Sequence, residues 1–520
     1  MPIAARDNSD IAERHTNRRA LLAGTVTGMA VAVGGGAALS GLGATPASAA
    51  VGVTDWINIT DYGADPTGKK NSSAAINRAI AAAAPGGVVY MPTGIFLITG
   101  PIVLQKSVTL VGDHGATSSG DDANKFAGTV IRVASNFRNL TWSAFATAAV
   151  LCLDQSPGTS GSASTRGIRL RDFWIDGSTG AAGVDGITCY GPVSAWQAER
   201  IGVYKATGSG FRFVRADGSF PDGQSLYSCL AQQCMGEGFT GDMVDATLMD
   251  CHAQGCGSNG VHLTGGNTRF IGCRSDLNGG HGWYLDHSGA GTGFSDGIIL
   301  DGCGTQRNNH NGVFVTNSSG SSWHDPVLIT GCSIGEDGQD GTWSKGAITG
   351  GDGLGWAGIH VEGENHVHIS NSLIAVGTKD VKAGCPQFGI RTAEVDGTRP
   401  TTITVSGGRI EARRTTSSNS GALINDTAAV QGNFRISPET VGAIGYQSGT
   451  IDSRQGSAAL SGGSVSVSSP WVSSATRVFL STLRTSSPGF LSVSSSAGSF
   501  TIRSASSADS STVAWMLTTA

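Results

Sequence analysis

The chain has 520 residues, 34 Lys+Arg against 39 Asp+Glu for a formal charge of -5, and only 14% charged residues against 39% hydrophobic. That excludes a disordered polyelectrolyte, and the missing basic excess argues against a nucleic-acid partner. Glycine fills 78 positions and aromatics only 7%, a composition of tight turns and small side chains rather than of an average globular domain.

Residues 1–19 are polar and end in Asn17-Arg18-Arg19; no charged side chain follows from Ala20 to Thr54, and small residues close the run at Ala47-Ser48-Ala49. A membrane anchor is the alternative reading, but many Gly and Ala dilute the apolar stretch. The twin arginine followed by Leu21-Leu22 resembles a Tat export signal, which implies cleavage after Ala49 and an extracellular protein with no membrane attachment.

Residues 72–83, Ser-Ser-Ala-Ala-Ile-Asn-Arg-Ala-Ile-Ala-Ala-Ala, predict a short helix capped by Asn71 or Ser72 and stopped by Pro85-Gly86-Gly87. Strands follow at Val88–Tyr90 and Ile95–Ile98.

The middle of the chain repeats. Glycine precedes an apolar–any–apolar triplet at Gly186, Gly210, Gly260, Gly282, Gly312 and Gly358, with weaker copies at Gly238 and Gly389. The steps from Gly238 to Gly260 and from Gly260 to Gly282 are both 22 residues; longer steps accommodate loops. A parallel column holds Cys229, Cys251, Cys273, Cys303 and Cys332, and a third holds Cys234, Cys256 and Asn278. Such a period predicts one coil of a parallel β-solenoid per repeat, stable only when stacked. Alternation points the middle residue of each triplet outward, and Gly is read as permitting the corner. The ten cysteines read as small buried rungs. Disulfides between adjacent coils stay open, and no Cys-x-x-Cys pair suggests a metal.

The opening carries a resemblance. Ile57-Asn-Ile-Thr-Asp-Tyr-Gly-Ala-Asp-Pro-Thr-Gly68, the Ala-rich helix, Gly86-Gly-Val-Val-Tyr-Met-Pro-Thr-Gly94 and Val108-Thr-Leu-Val-Gly112 resemble the start of pectate-lyase-like proteins, among them polygalacturonases, rhamnogalacturonases and tailspike depolymerases. The resemblance implies an all-β right-handed parallel β-helix over residues 50–412 with the helix as its N-terminal cap. It also implies a polysaccharide or oligosaccharide ligand, without fixing the reaction.

Residues 413–454 read as a linker or final coils. Residues 455–520 contain 21 serines, no Lys and one acidic residue, Asp509. Val465/Val467, Val478/Leu480, Phe500/Ile502 and Val513/Trp515/Leu517 alternate at period two, which predicts a small antiparallel β domain. It is similar to terminal modules of phage fibres and tailspikes, which suggests homotrimerisation or glycan attachment.

Outward positions near the repeated Gly supply the candidate chemistry. Glu237, Asp242, Asp286, His262 and His281 are the candidate catalytic groups; Arg212, Arg215, Tyr284, His310, Trp343, Trp356, His360 and Glu362 are candidate substrate contacts. No metal or cofactor is called for. In polygalacturonases an Asp, an Asp pair and Gly-His-Gly occupy consecutive coils. Here Glu237, Asn259 and Gly280-His281-Gly282 fill that slot, so the central carboxylate is missing. The first expectation is a secreted glycoside hydrolase that pairs Glu237 or Asp242 with Asp286 across two coils. A lyase would instead use His262 or Tyr284 as base, with Arg212, Arg215, Arg274 or Arg391 holding a uronate carboxylate. A fructan-transferring enzyme and a non-catalytic glycan-binding fibre are the remaining readings.

Overall fold

The computed structural model describes residues 56–115, 127–138, 148–154, 165–191, 193–216, 219–286, 297–316, 326–339, 356–363, 365–376, 388–393, 402–412, 424–426, 433–436, 441–442, 455–469, 472–473, 476–482 and 489–519. Residues 1–49, read above as an export signal, and Trp343 lie outside them.

The repeat is a coil of three short strands. Ser225–Tyr227, Leu230–Gln232 and Phe239–Gly241 make one turn; Thr247–Met249, His252–Gln254 and Val261–Leu263 make the next. Equivalent strands pair in parallel, Leu226 with Leu248, Ala231 with Ala253 and Phe239 with Val261. The first two faces form one 24-stranded sheet, and the third is an 11-stranded sheet from Ile102–Leu104 to Ile424–Asp426. Pairing of Ile424–Asp426, Asn433–Ile436 and Val441–Gly442 with the preceding coils makes these parts of segment 413–454 coil rather than linker.

Inward side chains stack along the axis. Phe211 lies on Phe239 with centroids 4.7 Å apart, and Trp283 meets Phe270 edge-on. These rings and the Leu, Ile and Val above and below them form one continuous core, each fully buried large side chain contributing roughly 1.5–3 kcal/mol.

The repeated glycines have a different reason from the one expected. Gly210, Gly238, Gly260, Gly282 and Gly312 do not sit in the left-handed region. A Cβ at Gly238 would stand 2.5 Å from the Gly260 carbonyl oxygen of the next coil, and at Gly282 2.6 Å from that of Gly312. Close stacking of backbones, not the corner's dihedrals, demands Gly here. Left-handed corners lie elsewhere: between the first two faces at Ser228, Asp250, Gly272, Gly302, Gly331 and Asn371, and directly after the second face at Gln233, Gly255, Leu277, Arg307 and Glu336.

The Cys column is an internal ladder: Cys229, Cys251, Cys273, Cys303 and Cys332 are each at most 3% exposed, and the nine described cysteines are free thiols. The second column continues from Cys234 and Cys256 into Asn278, Asn308 and Asp337. Each Asn side chain there accepts from the backbone N–H one coil earlier, and Asp337 accepts both the Asn308 N–H and its Nδ2.

The helix Ser73–Ala82 buries Ile76, Ala79 and Ile80 at the N-terminal end of the core. Its first turn is capped by Asn71, whose Oδ1 accepts the Ser73 N–H at 3.0 Å. Among the described residues no helix is long and apolar enough to cross a membrane.

At the C-terminus, Gln455–Ala459, Thr512–Thr519 and Thr476–Thr482 form one antiparallel sheet; Ser464–Ser468, Ser499–Ser504 and Leu491–Ser496 form another. Phe500, Ile502, Val513, Trp515 and Leu517 make a separate core with the alternating valines packed against it.

Candidate active site

The third face carries the candidate chemistry. Strand pairing sets one outward column in order: Arg212, Thr240, His262, Tyr284, Phe314, His360 and Arg391. A second column, just before each repeated Gly, runs Ser209, Glu237, Asn259, His281 and Asn311. It is fixed by Gly238 N–H to the Asn259 carbonyl, Gly260 N–H to that of His281 and Gly282 N–H to that of Asn311.

The two columns meet diagonally. Asp185 pairs with Arg212 of the next coil at 2.7 Å, Glu237 with His262 at 2.9 Å, and Asn311 approaches His360 at 3.4 Å. His281 follows the same diagonal and stacks on Phe314, centroids 4.7 Å apart.

Glu237 Oε1 receives both the Asn259 Nδ2 amide and His262 Nδ1, each at 2.9 Å. Burial works to raise this carboxyl, but the hydrogen bond and charge of His262, with Thr240 and Asn259, outweigh it and hold Glu237 below its ordinary 4.5. It is therefore an ionised carboxylate at neutral pH. With Nδ1 engaged, His262 Nε2 is buried without a hydrogen-bond partner among the described residues. The ring lies flat on Tyr284, 4.4 Å between centroids at 7°. Burial first, then Asp286, Glu362 and Glu237, push the Tyr284 phenol up to about 12.

His281 sits among Tyr284, Phe314, His310 and Trp356. Burial, and after it the neighbouring His310, His360 and His262, hold it well below 6.5 as a neutral imidazole. His310 stacks on Trp356 at 4.1 Å, so an imidazole and aromatic platform continues from the Glu237–His262 pair along the helix axis.

The expected pairing of Glu237 with Asp286 is not what the coil makes. Asp286 lies two positions beyond Tyr284 on its strand, in the column of Asp242, Thr264, Thr316 and Glu362. Glu237 belongs five positions upstream and is committed to His262. Thr264 donates to Asp242 at 2.7 Å and lies between Asp242 and Asp286; these two carboxylates are two coils apart, roughly 9–10 Å. Glu362 lies 3.5 Å from His360 Nε2 on the same strand. Two further assignments change. Arg215 stacks over the Phe220 ring instead of joining the outward column. Arg274 sits on another face, paired with Asp276 at 2.9 Å. Phe314, Thr240 and Asn311 belong to the site, although sequence reasoning did not select them; Phe314 was legible as the middle residue of its triplet. Among the described residues no group of three His, Cys, Asp or Glu is arranged to hold a metal.

The family profile of rhamnogalacturonase A/epimerase, pectate lyase-like, matches residues 56–180. The mannuronan C-5 epimerase AlgE4 A-module of Azotobacter vinelandii shares the fold at a TM-score of 0.50 and 18% identity, over 76% of this chain and 100% of that one. The chain has the right-handed parallel β-helix fold, and its N-terminal part, residues 56–180, carries the pectate-lyase-like match. This β-helix protein is also similar to the AlgE6 A-module of the same organism (TM-score 0.49, 18% identity, 75% and 100% coverage). The gp42 tailspike of Acinetobacter phage vb_AbaP_AS12 gives a TM-score of 0.49 at 12% identity, over 90% and 82% of the chains. Residues 452–518 match the C-terminal domain of K1 capsule-specific polysaccharide lyase. No curated protein matches the chain in sequence.

Proposed function

We propose that the protein is an exported carbohydrate-active enzyme whose face of Glu237, His262 and Tyr284 performs proton transfer on a uronate-containing polysaccharide. The observation carrying this reading is the Glu237–His262 hydrogen bond of 2.9 Å beside a protonated Tyr284. An ionised Glu237 fixes the His262 tautomer and leaves Nε2 as a base. A shift of the stacked Tyr284 ring that uncovers the buried Nε2 lets His262 take the proton on the sugar carbon next to the carboxylate. Tyr284 then either protonates the departing glycosidic oxygen, which gives elimination, or returns a proton to that carbon, which gives epimerisation. Arg212, two coils upstream in the same column and shared with Asp185, is the cation available to the sugar carboxylate. The matching families, one of rhamnogalacturonase/epimerase and one of a polysaccharide lyase, support a polysaccharide substrate. The Arg18-Arg19 segment supports Tat export and secretion, and the C-terminal module fits trimer formation.

A second reading, glycoside hydrolysis, is favoured by the Asp242–Asp286 column, whose spacing is close to that of an inverting pair. One assay separates them on a panel of uronate and neutral polysaccharides. Elimination gives ultraviolet-absorbing unsaturated ends, and epimerisation gives solvent deuterium on carbon without cleavage. Hydrolysis gives reducing ends that do not absorb. Saccharide binding with none of these products would leave the fibre-like, non-catalytic reading and remove both enzymes.

A further inference from the structure

A separate groove lies on the face made by Arg274–Asp276, Gly304–Gln306, Ser333–Gly335 and Leu373–Val376. It encloses about 390 Å³, with Arg274, Gln306, Ser333 and Glu336 around a floor that includes Gly304 and Gly335. None of these residues belongs to the outward columns of the candidate active site.

Gly304 is the informative position. It pairs in register with Arg274 on one side and Ser333 on the other, so neighbouring coils carry side chains there. Its φ is not left-handed, and a Cβ would meet nothing nearer than the Ser333 carbonyl at an ordinary 3.6 Å. Neither conformation nor packing requires glycine, which weakens a strand and commonly marks close approach of a ligand.

The rim is polar and internally balanced. Arg274 pairs with Asp276 at 2.9 Å. Glu336 Oε2 accepts from Gln306 Nε2 at 2.9 Å and Arg307 Nε at 2.8 Å, which fixes the carboxylate. Fixed donors and acceptors without a net charge suit vicinal hydroxyls better than an anion, and the volume suits a small ligand.

We propose that this groove is a second, non-catalytic saccharide site for one or two neutral sugar rings. It does not depend on which reaction the other face performs. The test titrates the full chain with cellobiose and, as the charged counterpart, digalacturonic acid, followed by calorimetry. Cellobiose is expected to bind the wild type saturably, and in Arg212→Ala, which removes the cation proposed for a sugar carboxylate on the other face, to bind more tightly than digalacturonate. Affinity is expected to fall at least tenfold in Gly304→Val and in Gln306→Ala. Gly304→Val should also melt at a higher temperature than wild type, because the strand gains a β-branched residue in open space. Failure of cellobiose to saturate, a preference for digalacturonate in Arg212→Ala, unchanged affinity in the groove variants, or a lower melting temperature for Gly304→Val would each overturn the proposal.

Discussion

Glu237 and His262 meet across consecutive coils, with Oε1 and Nδ1 2.9 Å apart, and the Asn259 amide holds the same carboxylate oxygen. The contact orients the imidazole and fixes which nitrogen is free. Glu237→Gln keeps the shape but presents an amide to Nδ1 and destroys the tautomer preference. We expect kcat to fall about 10²–10⁴-fold in Glu237→Gln and His262→Ala, with KM changed far less and the fold intact by circular dichroism. The pH dependence of stability has a definite sign. Glu237 in the folded chain lies below its ordinary 4.5, so its contribution is present above that value and lost as pH falls through the folded pKa. Acid unfolding of Glu237→Gln should therefore be less steep over that window; an identical slope would refute the charge-assisted pair.

Tyr284 separates packing from chemistry. Tyr284→Phe retains the ring that stacks on His262 and removes only the hydroxyl. The expected outcome is a melting temperature unchanged within error and kcat lowered about 10²–10³-fold. Because the phenol is held at about 12, the wild type should show no loss attributable to this group until the pH approaches that range. If hydrolysis at Asp242 and Asp286 is the reaction, Tyr284→Phe will be nearly silent in kcat and Asp286→Asn severe.

How much of this was legible in the sequence depends on what the repeat encodes. The spacing of Gly238, Gly260 and Gly282 placed Glu237, Asn259 and His281 in one column, and the backbone hydrogen bonds keep that order. The same alternation marked Phe314 as outward, yet a hydrophobic residue carries no chemical signal by itself. Hidden altogether was the diagonal: the residue before Gly in one coil touches the residue two after Gly in the next. Asp185–Arg212 and Glu237–His262 obey it. Pairing by whole coil steps favours Asp286 because it counts rise along the axis and neglects the offset along the strand. Phe220, which takes Arg215 away from the site, lies in a loop with no repeat to align it.

The thiols make a simpler expectation. All nine described cysteines are buried and free, and burial pushes the Cys189 thiol well above its ordinary value. These nine should resist alkylation in the native protein, and reductant should leave the melting temperature unchanged. A drop on reduction would mean that disulfides join coils, against the ladder described.

Asp337 ends the Asn278–Asn308 ladder and is fully buried. Burial raises its carboxyl from 3.8 to about 7, although Thr305 and Asn308 donate to it. The sign is opposite to that of Glu237. Below about 3.8 the group is protonated whether the chain is folded or not, and its contribution is fully present. As pH rises, the unfolded chain releases the proton first, so stability declines until the folded pKa near 7 is passed. The gap is equivalent to at most about 4 kcal/mol. Asp337→Asn keeps an acceptor for the Asn308 N–H and Nδ2 groups and lets the Thr305 hydroxyl turn to accept from the new amide. It should melt higher than wild type at pH 8 and show little advantage at pH 4. Thermal melts at both values decide the matter: a variant less stable than wild type at pH 8 would mean that the ionised carboxylate is the form the coil needs.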